Sequence, residues 1–172
     1  RDCTKIGTWN NTTKTCTLNR NLDQTIEIKD NGITLDGANK TVQGNNSNIG
    51  IYVNGGLFGD ITDVTVKNII VRGFSKGIQI NNTNRVHLLN VTARNNGDGV
   101  EFYRAENSSI IDSSITNNSG KGLIVGTSSD INEISNNTIT SNLVGIDLGL
   151  NSQSRISHNT ITLNRNGVAV SA

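Results

Sequence analysis

Residues 64–82 read VTVKNIIVRGFSKGIQINN, and a pattern of this kind continues to the end of the 172-residue chain. Its last part, a glycine followed by an apolar, any and an apolar residue, recurs as GIQI (77–80), GVEF (99–102), GLIV (122–125), GIDL (145–148) and GVAV (167–170). Successive glycines of this motif are 22, 23, 23 and 22 residues apart. A period of this length indicates one supersecondary unit stacked on copies of itself.

The unit within each period is a set of short strands. Alternating runs rich in Val, Ile and Thr are separated by Gly, Asn, Ser and Lys, and no window keeps a helical spacing. A leucine-rich repeat would need leucines at regular positions, and a left-handed β-helix would need a six-residue repeat. The sequence has neither pattern. The sequence therefore predicts an all-β fold, a single right-handed parallel β-helix (β-solenoid) of about seven coils. We expect one domain over 1–172, with a cap segment at 1–25 and coils at 26–172.

The predicted core consists of three inward-facing sets, one for each strand of the coil. The first set is Val64/Val66, Val86/Leu88, Ile110, Ile134 and Ile156. The second is Ile70, Thr92, Ile115, Ile139 and Ile161. The third is Ile78/Ile80, Val100/Phe102, Leu123/Val125, Ile146/Leu148 and Val168/Val170.

Asparagine is the residue that the composition favours most. The chain has 28 Asn and 18 Gly but no Pro, which suits strands that pair on both sides and corners that need left-handed backbone. Stacked Asn side chains can also bond to equivalent amides one coil away. We expect one such ladder, with a weak rung at Ser113; its other members are Asn68, Asn90, Asn137 and Asn159.

The two cysteines lie close together near the start of the chain. Cys3 and Cys16 flank a turn-forming segment, and no further metal ligands are nearby, so we predict a disulfide that staples the N-terminal cap. Such a pair favours an oxidising location, extracellular or at the cell surface. The chain begins at Arg1 without a methionine, from which we expect that a leader peptide is removed.

Nine N-x-Ser/Thr sequons agree with that location, although an Asn-rich chain also produces sequons by chance. Asn90 is expected to be buried in the ladder. The remaining candidate glycosylation sites are Asn10, Asn11, Asn39, Asn45, Asn81, Asn107, Asn117 and Asn136.

These repeat signatures, N-x-[IT]-x-x-[NG] and G-[IV]-x-[ILVF], resemble those of pectate-lyase-like and NosD-like secreted or periplasmic proteins. The opening CTKIGTWNNTTKTCTL, followed by DNGITLDG, is similar to the cap and first coils of that broad family. The resemblance covers the whole chain and implies the right-handed parallel β-helix. It implies little about function, because the same coil carries lyases, hydrolases, epimerases, adhesins and inert spacers.

No catalytic constellation is recognised on the coil, so we expect neither enzymatic activity nor a metal or other cofactor. Glu101 and Asp147 would lie two coils apart, about 9–10 Å, near the separation of inverting glycosidases, with Ile124 between them. An isolated surface carboxylate is the simpler interpretation. His87 and His158 are expected three coils apart on similar strand positions, too far apart to act together, and are interpreted as surface histidines.

Three successive repeats place two hydroxyl columns on one face. Ser114-Ile-Thr116, Thr138-Ile-Thr140 and Thr160-Ile-Thr162 form a flat array of the kind that ice-binding solenoids use. Thr is also a common residue on any half-exposed strand. The upstream coils are expected to interrupt the columns with Ile69/Val71 and Val91/Ala93.

The sequence ends at GVAVSA, inside the last strand of a coil, and no polar plug follows. An open coil exposes unpaired backbone groups over an apolar core. Either the chain is a fragment of a longer β-helix, or another molecule covers this end. Under the second interpretation we expect Val168 and Val170 to form an assembly surface for a second copy, giving a head-to-tail oligomer or filament. The main functional hypothesis is a glycosylated extracellular structural protein; carbohydrate binding or processing is the alternative, and ice binding the third.

Other partners are disfavoured by the composition. The net charge is +1 without a basic cluster, which argues against nucleic acid. No segment is long and apolar enough to span a membrane. Glycans remain a possible partner under the alternative hypothesis.

Overall fold

The computed structural model describes residues 3–56, 61–150 and 153–171 of the chain. After a short 3-10 helix at Cys3–Lys5, the described residues form strands that are joined by turns and loops. The strands are β1 (Gly7–Asn10), β2 (Thr15–Leu18), β3 (Ile26–Ile28), β4 (Thr34–Asp36), β5 (Thr41–Gln43), β6 (Ile49–Asn54), β7 (Ile61–Arg72), β8 (Lys76–Arg94), β9 (Asp98–Glu106), β10 (Ser108–Ile111), β11 (Ser114–Thr116), β12 (Lys121–Val125), β13 (Ile131–Ser135), β14 (Thr138–Thr140), β15 (Val144–Gly149), β16 (Ile156–Ser157), β17 (Thr160–Thr162) and β18 (Asn166–Ser171).

The strands stack in parallel on three faces of a right-handed β-helix, as the period predicted. The first sheet follows β2, β4, β7, β8, β10, β13 and β16. The second follows β5, β7, β8, β11, β14 and β17. The third follows β3, β6, β8, β9, β12, β15 and β18, so seven coils contribute to it. β7 and β8 are long because they pass around a corner without a break.

The first and third inward sets are confirmed by the strand register. Ile78, Val100, Leu123, Ile146 and Val168 follow one another in the third sheet, and the first four are fully buried. Val66, Leu88, Ile110, Ile134 and Ile156 do the same in the first sheet.

The second inward set was wrong by one residue in its first two coils. Ile70 and Thr92 pair with each other and lead to Ser114, which faces outward. Val71 and Ala93 are the buried residues that precede Ile115 in the core. Ile115, Ile139 and Ile161 do stack in register as predicted.

Three of the repeating glycines, Gly77, Gly99 and Gly122, each pack against a buried asparagine of the next coil, and Gly145 packs against the half-buried Asn164. A Cβ on Gly77 would lie 2.5 Å from the carbonyl oxygen of Gly99 and 2.7 Å from Nδ2 of Asn96. A Cβ on Gly122 would lie 2.8 Å from Nδ2 of Asn142. Because any larger side chain would collide with backbone, close approach of successive coils explains the period.

Two inward asparagine ladders run through the coils, where the sequence predicted one. The unpredicted ladder joins Asn96, Asn118, Asn142 and Asn164, each side chain accepting hydrogen bonds from the residue one coil before it. The other consists of Ser113, Asn137 and Asn159. Buried amides are therefore satisfied along the stack.

Asn68 and Asn90 do not belong to these ladders. Both have left-handed φ angles, 52° and 51°, at an outward corner, and the Asn90 side-chain amide donates to Asn68 Oδ1 at 2.9 Å. Asn90 is exposed, so the expectation that its sequon is buried is wrong. The same corner continues with Asp112, Asn136 and His158, all in left-handed conformation.

The N-terminal end is closed by a hairpin. β1 pairs antiparallel with β2, and the predicted disulfide joins Cys3 to Cys16 with a Cα–Cα distance of 5.7 Å. Beneath this cap, the first-coil residues Leu22, Ile26 and Ile28 are buried. The cap therefore shields the apolar interior of the first coil from water.

Candidate functional site

The outer face of the third sheet brings charged and aromatic side chains together. Tyr52 and Tyr103 project from it, and Tyr103 is 41% exposed. The Asn81 amide donates to the Tyr52 hydroxyl at 3.0 Å, while the Arg104 guanidinium lies 5.5 Å from the centre of the Tyr103 ring. Aromatic faces beside amides and charges can bind polar ligands that have apolar patches.

Glu101 and Asp147 lie on this face in the predicted register, separated by Ile124. Each carboxylate is engaged by a lysine from an earlier coil, Lys76 with Glu101 and Lys121 with Asp147, both at 2.5 Å. Asp147 is also buried. The two carboxylates with the spacing predicted for an inverting glycosidase are therefore each engaged in an ion pair with a lysine.

The two histidines occupy different parts of the coil. His87 lies in the first sheet and its Nδ1 is 2.9 Å from the Ser109 hydroxyl. His158 is exposed at a corner, with φ 56°. The expectation that they share similar strand positions was wrong, because His87 lies within β8 and pairs with neighbouring coils, whereas His158 lies in the corner that follows β16.

Two other carboxylates are paired across coils at the surface. Hydrogen bonds from Arg85 hold the pKa of Asp63 well below its ordinary value. Partial burial acts to raise the pKa of Asp36, but hydrogen bonds from backbone and Asn68, together with Lys67, lower it on balance. These pairs join neighbouring coils and are not arranged around a cavity.

The predicted hydroxyl columns are present on the second sheet. Ser114, Thr138 and Thr160 follow one another in register, as do Thr116, Thr140 and Thr162 in the second column. The predicted upstream interruption was misplaced by one residue, since Ile69, Val71, Val91 and Ala93 are buried. The outward residues there are Ile70/Arg72 and Thr92/Arg94. Thr92 therefore lengthens one column, and two arginines end the other.

The candidate glycosylation sites are distributed over the corners and the cap. Asn81 is half-buried and hydrogen-bonded, which makes it the least accessible of them. The exposed sites are Asn10, Asn11, Asn39, Asn45, Asn107, Asn117 and Asn136.

The last described coil exposes apolar residues whose equivalents in earlier coils are buried or partly buried. Val168 and Val170 are 52% and 72% exposed, whereas Ile146 at the equivalent position one coil earlier is fully buried. β16, β17 and β18 each pair with one strand, within the part of the chain that the structure describes. The end therefore presents both unpaired backbone groups and apolar side chains.

The protein is therefore a parallel β-helix with short coils, a glycine that recurs once per coil and a disulfide near the N-terminus. The family model described as periplasmic copper-binding protein (NosD) matches residues 8–172, and the chain belongs to that family. A search of curated proteins found no match. The family's periplasmic description agrees with the predicted location outside the cytoplasm. Over the described residues, no helix has the length and apolar character needed to cross a membrane.

The side chains of this chain do not fit the copper site that the family description implies. Copper is held by Cys, Met and His ligands. The chain has no Met, both cysteines form the disulfide, and its two histidines lie apart. In the described residues, no group of three or more His, Cys, Asp and Glu side chains could hold a metal. The described residues therefore do not form a copper site of this kind.

Proposed function

We propose that this chain is an extracellular or cell-surface structural module, without enzymatic activity, whose coils stack head to tail on those of a second copy. The observation that supports this most is the apolar exposure of Val168 and Val170 in the last described coil. Burying both side chains would add apolar contact to backbone pairing.

The most suitable acceptor for this end is the edge of β3 in a second copy. β18 and β3 are the last and first strands of the same sheet. Among the described strands, β3 pairs with β6 alone, whereas β2 is already covered by β1. A β18–β3 contact would thus continue a parallel ladder, while the first sheet is blocked by an antiparallel strand.

The cap offers apolar surface at the same end of the coil. Ile6 and Trp9 are partly buried and pack against the core cluster, so part of each remains accessible. Val168 and Val170 of a second copy would pack against this cap rather than against the buried first-coil residues. The contact is heterologous, so repetition gives a filament instead of a closed ring. Glycans on the exposed sequons would coat the sides of such a filament.

Analytical ultracentrifugation of the parent and of two variants tests the proposal. Val170→Lys places a charge on the exposed end and should leave a folded monomer. Leu163→Lys is the matched control, because Leu163 is 83% exposed on a corner of the same coil and should not affect association. A parent that stays monomeric at high concentration would overturn the stacking proposal.

Carbohydrate binding is the second candidate, and the two tyrosines on the third-sheet face favour it. A sugar could stack on the exposed ring of Tyr103, beside the Arg104 guanidinium. Glycan-array binding that is lost in Tyr103→Ala but kept in the corner variant Leu163→Lys would support this function. Ice binding remains a third hypothesis, for which thermal hysteresis of the purified protein is the measurement.

A further inference from the structure

A polar cleft opens beside the second sheet near the N-terminal cap. It has a volume of about 700 Å³ and lies between the loop that precedes β3 and the loop that follows β5. Phe74 and Leu22, both buried, contribute its apolar lining. This volume is in the range of small-molecule sites.

Arg72 lines this cleft, and its guanidinium makes no hydrogen bond to the described residues. Its Nε atom is buried and has no hydrogen-bond partner, and no ion pair to its guanidinium is found in the described part of the chain. A guanidinium carries five N–H donors, and burying a charge without a partner is costly. Arg94 pairs with Arg72 in the strand register one coil further on. Unlike Arg72, it has no buried Nε atom that lacks a hydrogen-bond partner. The position of Arg72 thus differs from that of an ordinary surface arginine.

The other lining groups define the ligand. Arg20 and Arg72 are the basic residues of the cleft and Asp23 is its acid, so the lining carries a net positive charge. Gln24, Gln43 and Asn48 also line it and make no side-chain hydrogen bonds to described residues. Guanidinium groups bind carboxylates in bidentate fashion, and free amides both donate to and accept from hydroxyl groups.

We propose that this cleft binds a sugar acid, with its carboxylate on Arg72 and its hydroxyl groups on the neighbouring amides. The site is separate from the third-sheet face and from the exposed C-terminal coil, and it goes beyond the structural function proposed above. Asp23 would exclude fully anionic ligands and favour a single negative charge among several hydroxyls.

The test is a titration of the parent protein, labelled with ¹⁵N, with glucuronate, glucose and sulfate at constant ionic strength. Glucuronate should shift the Arg72 Nε–Hε resonance, and glucose, which has a hydroxymethyl group in place of the carboxylate, should bind at least about tenfold more weakly. Sulfate should also bind more weakly, because it lacks the hydroxyl pattern.

Two variants complete the experiment. Arg72→Gln should lower glucuronate affinity about tenfold or more, and Arg94→Gln should leave it unchanged. Unaltered melting of both variants establishes that the fold is kept, and the Arg72 resonance of the parent reports binding independently of either substitution. An unmoved Arg72 resonance, equal affinity for glucose or sulfate, or full binding by Arg72→Gln would each overturn the proposal.

Discussion

Truncation of Asn118 to alanine should destabilise the coil far more than its size suggests. The Asn118 Oδ1 atom accepts from the backbone and side-chain N–H groups of Asn96, at 3.0 and 3.2 Å. Its Nδ2 donates to Asn142 Oδ1 at 2.9 Å and to the Ala93 carbonyl at 3.2 Å. The substitution therefore removes four hydrogen bonds from a buried ladder.

The cost depends on which groups lose their partners. The backbone N–H of Asn96 and the carbonyl of Ala93 would be affected, and each buried group left unsatisfied costs about 1–3 kcal/mol. Asn142 Oδ1 keeps the bond that it accepts from the Asn118 backbone N–H at 3.0 Å. We expect the free energy of unfolding to fall by about 2–5 kcal/mol.

Urea unfolding followed by circular dichroism measures this change. The matched control is Asn117→Gly, one residue earlier, because Asn117 is exposed and its φ of 55° suits glycine. The control should lie within about 0.5 kcal/mol of the parent. A loss below about 0.5 kcal/mol for Asn118→Ala would refute the claim that the ladder stabilises the coils.

Three further predictions concern the core, the cap and acid stability. Ile139→Asp should unfold the neighbouring coils, since a carboxylate would enter a fully buried column; a variant that melts like the parent would contradict the register. Reduction of Cys3–Cys16 should lower stability by about 3 kcal/mol, measured by unfolding with and without reductant; equal stabilities would oppose it. Because the folded-state pKa values of Asp36 and Asp63 are lowered, their contribution is present above the ordinary pKa of 3.8 and is lost as pH falls through the folded values. Denaturation at stepped pH should thus show a plateau near neutrality and a decline below pH 4; removing both carboxylates should flatten that decline, and an unchanged decline would be contrary evidence.

The glycine period could be read from the sequence because it reflects a close backbone contact. Gly77, Gly99, Gly122 and Gly145 cannot be replaced without collision, so they mark the third sheet in four successive repeats and set its register correctly. The asparagine positions gave no such constraint. An outward corner with left-handed φ and the inward position one residue later both favour Asn, for different reasons.

Because Asn suits both positions, its spacing alone did not separate the corner column from the inward ladder. Asn90 belongs to the corner that continues with Asp112, whereas Ser113 belongs to the inward ladder, so one predicted ladder joined two columns. The spacing offered a signal that was missed, since Asp112 is 22 residues after Asn90 while Ser113 is 23 after it. The Arg72 cleft could not be predicted, because it depends on the path of two loops rather than on the repeat.

Disulfide trapping tests the stacking of coils most directly. If β18 of one copy pairs with β3 of the next in the established register, Ala169 meets Glu27 at the distance of neighbouring strands, about 4.8 Å, which a disulfide can bridge. The double variant Glu27→Cys/Ala169→Cys should give a ladder of covalent multimers after mild oxidation. Glu27→Cys/Thr162→Cys, with the second cysteine on a different sheet, should give none. Multimers from both variants, or monomers from both, would contradict head-to-tail stacking through the third sheet.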